Sequence, residues 1–255
     1  MTQTLITSKQ HTILQLLYRL RFLDRTHIQN YLNHKHHNRI ILWLNELTNK
    51  NYIGRIYSPK FGDNNKPAIY YLSKEGIKYL KANGDYDPAS FKKLYRESQR
   101  DQSFIDLCQL LASIDLGLKH KSTKTVSYSF FVKSDYSKLE EKEALQELLP
   151  DGYLVQKKLD KSQMYLLDIL DDDLPARQRQ RIKRYISFYE NNEWQLGDSF
   201  PTILFVCPHE RSQRSLARYI HKRVEELDPG LNMRLTTRDK VKQSGLASEI
   251  WQEID

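Results

Sequence analysis

The 255-residue sequence predicts an α+β or α/β protein of two domains: a small helical domain closed by a β-hairpin, then a larger α/β domain. One observation is charge. Residues 1–82 contain 13 Lys and Arg against 4 Asp and Glu, a net charge of +9, whereas residues 83–255 sum to −1. The other two observations are patterns. The first segment shows three short helical periods followed by two alternating strands, and the second alternates strands with long helices.

Three short helices are predicted at the start of the chain. Ser8 is expected to cap a first helix, whose apolar residues at positions 13, 14, 16, 17 and 20 share one face. Thr26 is expected to cap a second helix over 27–33, and a third runs over 36–49. The tight break between the second and third helices is typical of a helix-turn-helix.

A β-hairpin is predicted next, because residues 52–57 and 68–72 alternate apolar and polar side chains around a polar, turn-rich loop. Ser73 is expected to cap a following helix. Helix-turn-helix and hairpin together indicate a winged-helix domain over residues 1–82.

Double-stranded DNA is the partner that this domain predicts, since Lys and Arg supply most of the sequence-independent affinity for phosphates. In a winged helix the third helix enters the major groove, where Arg can pair with guanine and Asn with adenine. The alternative is that these are ordinary solvated charges on a domain that contacts protein. His34, His36 and His37 do not predict a metal site, because no carboxylate or Cys accompanies them. The DNA-binding candidates are Lys35, His36, His37, Asn38, Arg39, Arg55, Lys60 and Lys66.

The second domain is predicted over residues 91–255, after a turn-rich linker at 83–90. It should begin with a mostly helical stretch from 91 to 114 that Gly117 ends. A strand over 125–132 and a short acidic helix or loop over 139–149 follow. Strands are then expected near 152–155, 164–170 and 200–207, with helices over 177–190 and 211–227.

A Pro-Asp turn leading into one strand, followed by an acid near the end of the next, resembles the PD-(D/E)xK nuclease core. The resemblance implies that Asp151 and Asp168 hold Mg²⁺. The family places a lysine two residues after the second acid, where this chain has Leu170. Because that lysine migrates within the family, Arg181 or Lys183 is the expected substitute, although Arg is a poor proton acceptor.

The whole layout resembles one family more closely, the replication-relaxation proteins of plasmids and other mobile elements, which join a winged helix to a PD-(D/E)xK-like domain. The similarity spans about residues 10–225. It departs from the family where Asp168 is followed by Ile169 and Leu170, and where Arg181 stands in place of a Lys. The motifs that carry it are LPDG at 149–152, LLD at 166–168, RIKRY at 181–185, PTILFV at 201–206, and Arg211.

The function implied is DNA binding in plasmid replication or relaxation, or in its control, with a non-catalytic nuclease-like domain. Two alternatives stay open: a Mg²⁺-dependent endonuclease targeted by the winged helix, and a transcriptional repressor. The acids also have a structural interpretation, as turn and helix-capping residues. No cofactor is expected outside the nuclease alternative. Replication or relaxation proteins and a second copy of the chain are further partners to consider.

The expected location is the cytoplasm, with no membrane partner. No apolar run reaches the ~18 residues that a membrane span requires. The two cysteines, Cys108 and Cys207, lie far apart in apolar runs, as buried thiols of a reducing compartment do.

Overall fold

The structure is a computed structural model that describes residues 6–57, 67–86, 88–159, 161–171, 175–191, 194, 199–224 and 230–254. The chain divides into two compact units, Met1–Leu116 and Gly117–Asp255. Both units combine helices with a β-sheet, so the protein is of mixed α+β class, as the sequence predicts.

Three helices open the first unit: α1 (Ser8–Leu20), α2 (Arg25–Tyr31) and α3 (His37–Asn49). Two caps differ from the sequence prediction. Thr7, not Ser8, caps α1, because its side chain and that of Gln10 form a reciprocal capping box. Asp24, not Thr26, caps α2 by accepting a hydrogen bond from the backbone N–H of His27 at 2.8 Å.

A three-stranded antiparallel sheet follows the helices in this unit. Its strands are β1 (Leu23–Asp24), β2 (Ile53–Ile56) and β3 (Ile69–Leu72), in the order β1-β3-β2. The short strand β1 had no signal in the sequence, since two residues are too few to show an alternation. The hairpin loop that joins β2 to β3 lies mostly outside the described residues. Helix α4 (Lys74–Ala82) comes after the hairpin, and the hydroxyl of Ser73 bonds to the carbonyl of Asn51 instead of capping it.

Residues 88–116 belong to the first unit, which places the division of the chain later than the predicted linker at 83–90. Two 3₁₀ turns (Pro88–Phe91 and Leu94–Gln99) lead into helix α5 (Gln102–Lys121). The prediction that Gly117 ends this helix is wrong. The helix continues to Lys121 because the flanking Leu116 and Leu118 are both buried.

Apolar and charged contacts both bind this segment to the helices of the first unit. Ile105 and Cys108 of α5 form a buried cluster with Phe22. The side chain of Arg21 bonds to the buried carboxylate of Glu97. The sequence places residues 91–116 in the second domain because such long-range contacts leave no local pattern.

The second unit has a mixed sheet of six strands. In chain order its elements after α5 are β4 (Val126–Val132), α6 (Lys142–Leu148), β5 (Gly152–Lys158), β6 (Lys161–Ile169), α7 (Pro175–Glu190), β7 (Thr202–Cys207), α8 (Glu210–Val224), β8 (Met233–Thr237), α9 (Arg238–Ser244) and β9 (Gln252–Glu253). A 3₁₀ turn, Tyr136–Lys138, lies between β4 and α6. The sequence analysis did not predict the last three elements, β8, α9 and β9.

Strand order in this sheet follows chain order, from β4 to β9. The pairs β6–β7 and β7–β8 are parallel, and the other pairs are antiparallel. Parallel neighbours joined by a helix form right-handed crossovers, so α7 and α8 lie on the same face of the sheet. Both pack into one core: Ile182 and Tyr185 of α7 share a buried cluster with Leu216 and Ile220 of α8.

Among the described residues, no helix combines the length and the apolar character that crossing a membrane would require.

Candidate functional site

Asp151 and Asp168 lie side by side at one end of two neighbouring inner strands of the large sheet. Asp151 comes directly before β5, and Asp168 is the last residue but one of β6. The two strands pair so that Gly152 faces Leu167, and the N–H of Asp151 donates to the carbonyl of Leu167 at 2.8 Å. Strand register therefore brings together two acids that are seventeen positions apart in the sequence.

Both carboxylates are buried, with relative exposures of 2% for Asp151 and 0% for Asp168. One arginine lies between them. The Nη1 atom of Arg181, on α7, is 3.1 Å from Asp151 Oδ2 and 3.1 Å from Asp168 Oδ1. Asp151 Oδ2 also accepts a hydrogen bond from the backbone N–H of Ile169 at 3.0 Å. A single guanidinium thus bridges the two acids.

Lys133 is a member of this site that the sequence did not reveal. Its Nζ lies 2.7 Å from Asp151 Oδ1, and its side chain is about half exposed. Lys133 directly follows β4, and the antiparallel register places Val132 of that strand opposite Gly152. The nearest sequence signal was the strand pattern that ends at Val132, but the strand to which it pairs could not be read from one sequence.

The environment drives the pKa values of the two acids in opposite directions. Burial acts against the charged form of Asp151, but the charges of Lys133 and Arg181 outweigh it and lower the pKa of Asp151 below its ordinary value. Burial and then the charge of Asp151 raise the pKa of Asp168 to about 6. Opposite shifts in a buried carboxylate pair are a feature of functional sites.

Two tyrosines surround the acids. The hydroxyl of Tyr136 donates to the carbonyl of Pro150 at 3.1 Å. Burial, reinforced by the charges of Asp151 and Asp168, raises the pKa of Tyr136. Burial and then the charge of Asp168 raise the pKa of Tyr185 as well. Asp168 Oδ2 and the Tyr185 hydroxyl are both buried without a hydrogen bond of normal geometry in the described part of the chain, and the two side chains interact with each other.

In this arrangement the guanidinium of Arg181 occupies the position between the two carboxylates where a divalent metal ion would bind. Within the described ranges, no three His, Cys, Asp or Glu side chains come together as a metal-binding group. Mg²⁺ prefers several oxygen ligands and retains bound waters. Here the space between the two carboxylates is spanned by a guanidinium, which already supplies the positive charge that a metal would bring.

The other residues that the nuclease resemblance singles out lie apart from the acids. Leu170 is 1% exposed and belongs to the core of the unit, so its side chain supplies no charge at the end of β6. Lys183 is exposed on α7 and lines an open groove along that helix. Arg181 is thus the α7 candidate that contacts both acids.

The predicted DNA-reading residues form a continuous exposed segment at the start of α3. Lys35, His36, His37, Asn38 and Arg39 are all exposed. The guanidinium of Arg39 lies 5.7 Å from the ring centre of Trp43, one helical turn further on. This cation–π contact holds the Arg39 guanidinium close to the surface of α3.

Arg55 is exposed on β2, with its guanidinium 4.8 Å from the ring centre of Tyr57. The other two candidates on the predicted wing, Lys60 and Lys66, lie outside the described residues. His34 and His36 approach each other through a ring-to-backbone hydrogen bond, in which the N–H of His36 donates to Nδ1 of His34 at 3.2 Å.

Comparisons with known proteins add little. No family model matches the chain, and no curated protein matches it. One solved structure that does match is the restriction endonuclease FokI, with 17% identity and a TM-score of 0.34 over 95% of this chain and 46% of that one. The chain therefore spans less than half of the length of that protein. A likeness at this score supports no conclusion about activity.

Proposed function

We propose that this chain is a DNA-binding protein whose first unit is a winged helix reading duplex DNA, and whose second unit is nuclease-like but does not cleave. The observation that carries the proposal is the exposed polar segment at the start of α3, in a unit where three helices precede an antiparallel hairpin. A winged-helix protein presents this part of its third helix to the major groove.

Charge supports DNA as the partner. Residues 1–82 have a net charge of +9, and phosphate neutralisation by such a surface gives affinity that falls steeply with salt. Arg39 and Asn38 are the residues of the α3 segment that can pair with base edges in bidentate fashion, Arg with guanine and Asn with adenine. Lys35 and Arg55, with Lys60 and Lys66 of the wing loop, are proposed as phosphate contacts.

The proposal that the second unit does not cleave DNA rests on Arg181. Hydrolysis of a phosphodiester needs a generated nucleophile and stabilised charge on the phosphate. The Arg181 guanidinium spans the two acids, stays protonated, and cannot accept a proton from water. The biological setting, replication or relaxation of a plasmid or another mobile element, rests on the sequence resemblance.

A selection from random duplex DNA followed by Arg39→Ala tests the reading function. The full chain should enrich a sequence family from a random pool. Arg39→Ala should then reduce the discrimination between the selected and a random duplex by about 1–3 kcal/mol. Lys50→Ala removes an exposed cation at the other end of α3 and should weaken both duplexes about equally. No enrichment, or equal effects of the two substitutions on discrimination, would contradict the reading role.

A Mg²⁺-dependent endonuclease is the second candidate, and Lys133 is the observation that favours it. A lysine 2.7 Å from one of two buried acids supplies the kind of charge that the nuclease resemblance requires. Plasmid nicking in Mg²⁺ or Mn²⁺ separates the two proposals. Nicking by the wild type that disappears in Lys133→Ala and in Asp168→Ala would establish the endonuclease.

A further inference from the structure

The exposed sides of α7 and α8 form a strongly basic surface in the second unit. The two helices lie on the same face of the sheet and share one core cluster. The guanidinium of Arg179 lies 5.1 Å from the ring centre of Tyr219, and Ser212 bonds to Gln178. These contacts make the two helices neighbours, so that their outer sides are continuous. We call this surface the α7–α8 face.

Charge on this face differs sharply from that of the unit around it. Residues 117–255 contain 23 Lys and Arg against 22 Asp and Glu. Helices α7 and α8 alone contain 10 Lys and Arg against 2 Glu, one at the end of α7 and one at the start of α8. The near-zero sum over the unit hides this separation. A local excess of this size produces a potential that attracts polyanions.

The cations of α8 fall into one row. Arg211, Arg214, Arg218 and Lys222 are exposed and follow the spacing i, i+3, i+7, i+11. At 1.5 Å per residue the row is about 16 Å long. A linear array of cations matches a linear array of phosphates better than it matches a compact anion.

An open surface depression of about 690 Å³ lies along α7, and we call it the α7 groove. Four of the residues that line it are cations and the other two are hydrogen-bonding side chains: Arg177, Gln180, Arg181, Lys183, Arg184 and Ser187. The groove thus offers charge and hydrogen-bond donors together, which is what phosphate oxygens bind.

We infer that the α7–α8 face is a second nucleic-acid surface, one that holds the backbone of duplex DNA without reading its sequence. Eight of the ten cations on the two helices are Arg, the side chain whose forked geometry suits phosphate, and one of these, Arg181, is engaged by the two acids. A membrane is the less suitable partner, because an interfacial helix exposes large apolar residues, and the described parts of α7 and α8 expose none. The inference deepens the proposed function and rests on it for the choice of DNA as the polyanion.

The salt dependence of DNA binding tests this inference in the full chain. A face variant combines Arg211→Gln, Arg214→Gln and Arg218→Gln. A matched control combines Lys157→Gln, Lys158→Gln and Lys161→Gln, which remove the same charge from exposed positions on the β5–β6 hairpin. The affinity for a random duplex of about 30 base pairs is measured by fluorescence anisotropy from about 50 to 200 mM salt. The logarithm of the association constant falls linearly with the logarithm of the salt concentration, and each lost phosphate contact reduces the magnitude of that slope by about 0.9.

In the face variant the magnitude of this slope should be smaller than in the wild type by about 2–3, and in the control variant by less than 1. An unchanged slope in the face variant, or equal changes in the two variants, would overturn the inference. So would binding of the wild type to anionic phosphatidylserine vesicles that the face variant loses while its DNA affinity stays unchanged. Circular dichroism checks that the triple variant folds. The three single substitutions, measured in the same way, show whether each change alone reduces the slope.

Failure of the proposed function would look different. A chain that enriches no sequence and is insensitive to Arg39→Ala, but whose salt slope still depends on the α7–α8 face, would refute sequence reading and support the present inference. A chain that keeps its sequence preference but shows no dependence on this face would do the reverse.

Discussion

Each unit of the molecule buries carboxylates against arginine, and the two clusters are built differently. In the first unit Asp115 is 2% exposed and accepts from Arg19 at 2.7 Å and from the Tyr31 hydroxyl at 2.8 Å. In the second unit one partly exposed arginine contacts two acids, Asp151 and Asp168, and Lys133 contacts the first of them. One carboxylate oxygen there, Asp168 Oδ2, is buried with no hydrogen bond from the described residues.

The two clusters therefore differ in composition: one joins a single acid to its partners, and the other holds two acids beside the same guanidinium. The Asp115 cluster joins α1 and α2 to α5 with an acid that has complementary partners on both sides. The Arg181 cluster holds two like charges close together at the ends of β5 and β6, with Arg181 and Lys133 as their counter-charges. A protein that only needed stability would gain by replacing such a pair with apolar residues. Three predictions sharpen this comparison.

Removing the acid of the Asp115 cluster should lower the free energy of unfolding the most. Asp115→Ala leaves Arg19 and Tyr31 without their shared acceptor, and breaking a buried pair in this way costs about 3 kcal/mol of unfolding free energy. Chemical denaturation measures the loss. Asp106→Ala, on the exposed side of the same helix, is the matched control and should change stability by less than about 0.5 kcal/mol. Equal losses would show that the Asp115 cluster is not holding the fold.

The Arg181 cluster should make the free energy of unfolding depend on pH. The fold raises the pKa of Asp168 from an ordinary 3.8 to about 6, so the folded state binds the proton on this carboxyl more tightly than the unfolded state does. Its contribution to stability is complete below the ordinary pKa and is lost as pH rises through about 6. Asp151 behaves in the opposite way, because its lowered pKa adds stability above the ordinary value and that stability is lost as the pH falls.

Asp168→Asn removes this titration. Relative to the variant, the wild type should therefore lose on the order of 2 kcal/mol of unfolding free energy between about pH 4 and pH 7. Denaturation curves of both proteins at several pH values measure the difference. A stability difference that stays constant with pH, or that moves in the opposite direction, would contradict the raised pKa.

The smallest expected effect, and the most specific one, is the stabilisation by Mn²⁺ of a variant that lacks the bridging arginine. Arg181→Ala exposes the two carboxylates to each other, and Mn²⁺ can then substitute for the lost guanidinium. At a Mn²⁺ concentration ten times the dissociation constant, the ion should stabilise this variant by about 1.4 kcal/mol. Thermal unfolding with and without Mn²⁺ measures the shift, and the wild type is the control. Equal stabilisation of the wild type would show that Arg181 does not take the place of a cation.

Local patterns predicted the elements of this fold better than their arrangement. The apolar periods of α1 and α3 and the alternation of β4 were sufficient to find those elements. Gly117 misled the prediction of α5, because the cost of one glycine in a helix is about 1 kcal/mol and the burial of neighbouring leucines exceeds it. The two-residue strand β1 exists through its pairing with β3 and could not be seen locally.

The candidate site shows the same limit. The resemblance singled out Asp151, Asp168 and Arg181, and the structure brings these three together. Lys133 escaped notice because its place beside Asp151 follows from the register of β4 against β5, which one sequence does not encode visibly. The α7–α8 face escaped notice because its charge cancels against acids elsewhere in the unit when only a sum is taken.

Nicking of supercoiled plasmid by the full chain is the most direct test of the account. The reaction is run with Mg²⁺ and with Mn²⁺, and wild type is compared with Asp168→Ala. With Arg181 between the acids, we expect the wild type to bind the plasmid and leave it supercoiled, at the same background level as the variant. Metal-dependent nicking by the wild type that is lost in Asp168→Ala would contradict the non-catalytic assignment and identify the second unit as a nuclease.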